Sequence, residues 1–234
     1  MSLSTIKTGG NRVRRGGRPT REAAEQLRER ILEAATDLFL AHGYGATSIE
    51  AVAQRAQISK RTFYHRFDGK PPLFAAVVHR IIEQLRPPRE VPLLDGTDVQ
   101  DTLKRLAVVI LRAALSPQAI ALHRLIVAES VRFPNLAAIV AQEGSAEEAV
   151  CLIAGLLKRE TLGGTLAIDV PTFAARQFLY MVIALPQNRA IAMGPPMSSR
   201  EIAAWGNDVV NLFLNGCRGW QHKEPRRKGT KKTP

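Results

Sequence analysis

The sequence predicts an all-α fold, with a small N-terminal helical unit followed by a larger one. Three observations carry this. Apolar residues recur at three- and four-residue spacing over most of the 234 residues. Ser/Thr-x-x-Glu capping boxes open three segments, at Thr47/Glu50, Ser145/Glu148 and Ser198/Glu201. No run alternates apolar and polar residues as a half-buried strand does, and no internal repeat is present.

Taken in order, residues 1–19 are rich in Gly and Arg, lack periodicity and read as a disordered basic arm. The first helix runs from about Arg21 to His42, with Ile31, Leu32, Ala35, Leu38 and Phe39 as its apolar stripe and Gly43 as its stop. Thr47 caps a short second helix carrying Ile49, Val52, Ala53 and Ala56 on one face. Gln57 and Ile58 make a tight turn, and Ser59 caps a third helix from Lys60 whose Phe63 and Phe67 point inward. Lys70 and Pro71 open a fourth helix that ends before Pro87-Pro88. Residues 20–88 therefore read as a helix-turn-helix unit, and residues 89–97, within the Pro- and turn-rich stretch 87–97, as a linker.

From Asp98 onward helices are expected over about 98–115, from Ser116-Pro117 to about Arg132, and from Asn135 to about Gln142. Three more follow: Ser145 to about Leu162, ended by Gly163-Gly164; Asp169 to Leu185; and Ser198 to Asn215, ended by Gly216. Residues 98–217 form the second domain, and 218–234 a basic tail.

Charge is uneven along the chain. The formal net charge is +12. Residues 1–20 hold five bases and no acid, and residues 223–234 hold six bases and one acid. Residues 90–222 hold 11 bases and 12 acids. A basic N-terminal side implies a polyanion as partner. The helix from Lys60 sharpens this, because Lys60, Arg61, Thr62, Tyr64, His65 and Arg66 all lie off its Phe63/Phe67 face. A solvated amphipathic helix would carry such charges too. The two capped helices at a short turn favour a helix-turn-helix, in which cations meet phosphates and guanine edges while hydroxyls and rings meet sugar and thymine methyls. Arg14, Arg15 and Arg18 suit a minor-groove arm or a nonspecific basic tail equally well.

Residues 21–85 resemble the DNA-binding motif of the TetR family of bacterial transcriptional repressors. The family's aromatic, two polar, aromatic pattern stands as Tyr64-His65-Arg66-Phe67, with Lys70 three positions on. One departure is Gln57, where the family usually has Gly; a non-Gly residue held at positive φ costs on the order of 1 kcal/mol. The resemblance implies that Tyr64 and Lys70 contact phosphate and that Thr47 and Ser48, at a helix start, meet another. The stretch RLIVAESVRFPN (124–135) and Ala174-Ala175-Arg176-Gln177-Phe178 resemble the C-terminal domain of the AefR-like branch.

That resemblance implies a small-molecule effector bound in the C-terminal half. His123, Arg124, Glu129, Gln177, Tyr180 and Met181 are the candidate pocket residues, although Met and Tyr at helical spacing are commonly core. The last two long helices carry more apolar residues than one inward face needs. Phe173, Phe178, Val182, Trp205, Val209, Leu212 and Phe213 are expected in a homodimer seam. The expected activity is sequence-specific binding to a palindromic double-stranded operator as a ligand-released repressor. The alternative is a sequence-tolerant architectural DNA-binding protein that works through its basic tails.

No Ser-His-Asp order, GxSxG, HExxH or Walker motif is present, so neither an enzyme nor a cofactor is expected. The five His residues are isolated, so no metal is expected. Cys151 and Cys217 lack metal or redox spacing and read as reduced and buried. No apolar run reaches the ~18 residues of a membrane span, and no signal-peptide core is seen. A cytoplasmic protein without a membrane partner is expected.

Overall fold

The computed structural model describes residues 20–87, 98–142 and 145–219, and it places ten α-helices and no strand among them. They are α1 (Arg21–His42), α2 (Ile49–Arg55), α3 (Lys60–Tyr64), α4 (Lys70–Leu85), α5 (Val99–Ala114), α6 (Pro117–Glu129), α7 (Asn135–Gln142), α8 (Ser145–Leu162), α9 (Pro171–Ile191) and α10 (Ser199–Gly219). The basic arm, the linker and residues 220–234 of the basic tail lie outside the described residues; α10 runs through the expected stop at Gly216 and takes in residues 218 and 219 of that tail.

The helices enclose two apolar cores. The N-terminal core gathers Ile31, Leu32, Phe39, Tyr44, Phe63, Leu73, Phe74 and Ile81, and it also takes in Leu122, Leu125 and Leu136 from α6 and α7. The C-terminal core is built from α5, α8, α9 and α10 around Leu103, Leu106, Ile153, Phe178 and Val210. Part of the 98–217 segment thus packs into the N-terminal core.

The helix-turn-helix is built from short pieces that cannot stand alone. A helix of five residues is unstable in water, and α3 has five. Ser59 caps it, accepting the Thr62 N–H at 3.1 Å, and Phe63 is fully buried beneath it. Burial of that ring contributes roughly 2–3 kcal/mol, so tertiary packing holds the helix in place. Phe67 is also buried, but it lies past the end of α3, which is shorter than expected. The α2–α3 turn places Gln57 at φ 56°, with the Ile58 N–H reaching back to the Ala53 carbonyl at 2.9 Å. This is a left-handed helix C-terminus of the kind glycine favours, so the turn is kept at the cost of backbone strain.

The expected capping box at Thr47 and Glu50 is corrected. Ser48 is the N-cap of α2 and accepts the Ala51 N–H at 3.1 Å. Thr47 is buried, and its hydroxyl donates to the Gly43 carbonyl at 2.8 Å and approaches that of Leu38 at 3.2 Å. Glu50 pairs with Lys60 instead. The hydroxyl has two nearby carbonyls, which outcompete an exposed amide.

Lys70 ties this loop to α4. Its Nζ donates to the carbonyls of Tyr44 (2.8 Å), Thr47 (3.0 Å) and Gly45 (3.3 Å). An ammonium has three protons, and here each has a carbonyl. The charge also lies 4.5 Å from the Tyr44 ring centroid. Tyr44 stacks on Phe39 and meets Phe74 and Phe133 edge-on.

In the C-terminal half, Pro186 sits inside α9. Proline has no N–H, so the Val182 carbonyl one turn earlier loses its helical donor. The Trp205 indole of α10 supplies the replacement at 2.9 Å. The helix therefore continues to Ile191, six residues beyond its expected end, and Val170 rather than Asp169 precedes it as cap. Ser198 and Glu201 do form the expected box, with the Ser198 N–H on Glu201 Oε2 at 2.7 Å and the Glu201 N–H on Ser198 Oγ at 3.3 Å. That contact holds the exposed Glu201 carboxyl below the usual range. The Glu148 carboxylate accepts from Arg86, just past α4, at 2.7 Å; the Ser145 side chain of the expected box lies outside what the structure describes. Cys151 is exposed on α8, contrary to expectation.

Two substitutions test this account. Gln57→Gly is expected to hold or raise stability to urea, whereas Gln57→Val, β-branched at positive φ, should lower it by about 1–2 kcal/mol. Lys70→Met keeps the aliphatic stem but strips three carbonyls of their donor, and should cost about 2–3 kcal/mol in the same melt.

Candidate DNA-binding interface

Phe63 and Phe67 anchor the third helix and the turn after it, and this fixes what faces outward. Lys60, Arg61, Tyr64, His65 and Arg66 are exposed, with the Tyr64 ring 53% accessible and set edge-on against Phe63. Thr62 is half-buried, and its hydroxyl shares a 2.9 Å hydrogen bond with Ser59. The acid beside this face is Glu50. Its ion pair with Lys60 holds the carboxyl below the usual carboxylate range and spends part of the Lys60 charge. Arg61 has no such partner among the described contacts, which leaves its planar fork free to meet a guanine edge. Ser48, exposed at the start of α2, lies on the loop next to this face.

Two expected contacts are corrected. Thr47 cannot present its hydroxyl to phosphate, because it is buried and already bonded. Lys70 turns its ammonium inward onto the α1–α2 loop, where burial lowers its pKa. Arg14, Arg15 and Arg18 fall outside the described residues.

The candidate pocket residues differ in burial and in partners. Gln177 is exposed on α9, and Tyr180 is 68% exposed. Met181 packs against the C-terminal core. Arg124 caps the end of α9, donating to the Ala190 carbonyl at 2.6 Å and to that of Ile191 at 3.3 Å. Glu129 accepts the Gly45 N–H at 2.8 Å. His123 is half-buried on α6, and desolvation lowers its pKa, favouring the neutral ring.

The expected seam residues also divide. Phe178, Val182, Val209 and Phe213 are buried within the chain's own C-terminal core, so they have no surface left to offer a second copy. Trp205 is half-buried and bonded to α9. Phe173 (53%) and Leu212 (66%) stay exposed, with Tyr180 on the outward side of α9.

The sequence reading missed the corner where α6 ends. Glu129, Arg132 and Phe133 meet the loop carrying Tyr44 and Gly45. A Cβ on Gly45 would come within 3.0 Å of Phe133. A glycine that no turn requires is a signal of close approach, and Gly45 was that signal.

Among the described residues no group of three His, Cys, Asp or Glu side chains could hold a metal ion, and no single helix is long and apolar enough to cross a membrane. Comparison with known proteins agrees with the geometry. Residues 31–77 match the tetR-family model of bacterial regulatory proteins, and residues 101–216 match the C-terminal domain of AefR-like transcriptional repressors. The regulator SrpR of Pseudomonas putida is 27% identical over 43% of this chain and 46% of its own length. The activator FasR of Mycolicibacterium smegmatis is 38% identical over 33% of each. The chain thus spans less than half the length of these two curated relatives. Among solved structures, the flavonoid-responsive regulator FrrA superposes with a TM-score of 0.71 at 28% identity, over 83% of this chain and 98% of that one. A TetR-family regulator from Mesorhizobium loti superposes with a TM-score of 0.68 at 27% identity, over 84% and 98%. With a helix-turn-helix that presents a basic recognition face and both of its halves matched, the chain belongs to the TetR family of transcriptional regulators, with a C-terminal domain of the AefR-like type.

Proposed function

We propose that the chain is a homodimeric repressor that occludes a promoter by binding a palindromic operator and leaves it when a small-molecule effector binds. The observation that carries the DNA half of this reading is the outward set Lys60, Arg61, Tyr64, His65 and Arg66, held rigid by two buried rings. Arg61 reads a guanine edge, and Tyr64, Arg66 and Ser48 position the helix on the backbone. A two-fold dimer sets two such faces into major grooves about 34–36 Å apart. Its work on chromosomal DNA makes it a cytoplasmic protein.

Support for a dimer comes from the outward apolar residues Phe173, Tyr180 and Leu212, which the fold leaves uncovered on α9 and α10. Support for an effector comes from the family, whose members bind DNA operators and small molecules, usually as dimers, and from a similar structure that is named flavonoid-responsive. The effector acts only by its difference in affinity between the operator-bound and released shapes. Occlusion is tested by transcription from the bound promoter, which should fall when the chain is added; a rise would assign it the activating role named for one relative.

Two measurements examine the reading. Arg61→Ala, titrated against single-base variants of a selected operator, should lose about 1–3 kcal/mol of discrimination at one symmetric base pair. Unchanged base preference would mean that α3 docks in another orientation. Leu212→Asp and Tyr180→Asp should sediment as folded monomers, whereas Phe178→Asp, in the core, should lose its cooperative melt. Intact dimers for the first two variants would move the seam elsewhere.

A further inference from the structure

The Arg124–Asn135 stretch belongs neither to the outward set on α3 nor to the outward apolar residues of α9 and α10, yet it is tied at Arg124 and again at Glu129 and Phe133. Arg124 of α6 grips the last carbonyls of α9, at 2.6 Å to Ala190 and 3.3 Å to Ile191. Five residues on, Glu129 Oε1 accepts the Gly45 N–H at 2.8 Å. Gly45 also gives its carbonyl to Lys70, so both polar groups of that residue are held. Phe133 packs edge-on against Tyr44 at 5.0 Å, and Leu122, Leu125 and Leu136 bed the same corner into the N-terminal core. Ser48, which caps α2, lies three residues past Gly45.

We propose that Glu129 is a positioning residue for operator binding: its carboxylate fixes the α1–α2 loop at Gly45 and thereby sets the angle at which α2 and α3 are presented to DNA. Arg124 makes α6 a rod, rigid over a turn and a half, between the end of α9 and that loop. A shift of α9 therefore reaches the recognition helix through one helix and three charge-assisted hydrogen bonds, two at Arg124 and one at Glu129, which are about twice as strong as neutral ones. Glu129 carries a negative charge beside a partly buried Lys70, and that charge favours the ammonium that pins the same loop. The inference rests on the operator reading above.

Glu129 makes no phosphate contact, and this separates positioning from anchoring. Losing a phosphate contact lowers the dependence of log K on log salt, whereas losing an angle does not. The full chain is titrated with its selected operator and with a random duplex of equal length at several salt concentrations. Amide exchange at Gly45 is followed by NMR. Glu129→Ala should weaken operator binding about tenfold, leave random-duplex binding and the salt slope unchanged, and speed Gly45 exchange. Glu129→Gln keeps an acceptor oxygen and should recover most of the affinity and protection. Gly45→Ala pushes the joint open from the other side and should reproduce the Glu129→Ala pattern; it carries the test if Glu129→Ala does not fold. Wild-type operator affinity in Glu129→Ala and Gly45→Ala overturns the proposal, as does a loss accompanied by a shallower salt slope. A wild-type chain that does not prefer its operator to the random duplex sinks the operator reading instead, and unchanged Gly45 exchange in Glu129→Ala then sinks the joint on its own.

Discussion

The Lys70 ammonium, set among three loop carbonyls and under the Tyr44 ring, is the interaction on which the helix-turn-helix depends. The α1–α2 loop carries backbone carbonyls that no helix supplies with donors, and each needs a partner when taken out of water. A single cation from the start of α4 meets three of them. Burial works against the charge, while Glu129 works for it. The result is a loop that cannot drift relative to α4, and α4 is the helix that leads toward the second half of the chain.

The two cores do not divide where the linker does. α6 and α7 come after the linker in sequence but place Leu122, Leu125 and Leu136 among the rings of the N-terminal core. The Arg86–Glu148 pair adds a second bridge, from the end of α4 to the start of α8. That pair is largely exposed and contributes little to stability. The apolar wedge of α6 and α7 is the stronger connection, because it removes whole side chains from water. A conformational change in the C-terminal half has to move this wedge or break it.

Strain and compensation lie side by side in this fold. Gln57 holds a left-handed backbone in the recognition turn. Met193 holds another just past α9, at φ 62°, where the Gly194 N–H returns to the Arg189 carbonyl at 3.0 Å. In α9 the missing donor of Pro186 is made good by Trp205, a contact between two helices rather than within one. The first two defects are closed by local backbone bonds, and the third by a neighbouring helix.

The all-α class, the helix-turn-helix and most helix limits were legible in the sequence, because they follow from local rules. Helical spacing, the Ser59 and Ser116 caps and the Ser198/Glu201 box depend only on residues three or four apart. The outward set Lys60, Arg61, Tyr64, His65 and Arg66 followed from the positions of Phe63 and Phe67. Whatever required a partner distant along the chain was decided by tertiary structure. Lys70 resembles a phosphate contact until the loop 23 to 26 residues earlier closes over it. Phe178 and Phe213 resemble seam residues until their rings meet 5.1 Å apart inside one chain. Glu129 resembles a pocket residue until Gly45, 84 positions away, donates to it. Periodicity says which face of a helix is apolar; only packing says whether that face meets its own chain, a second copy or water.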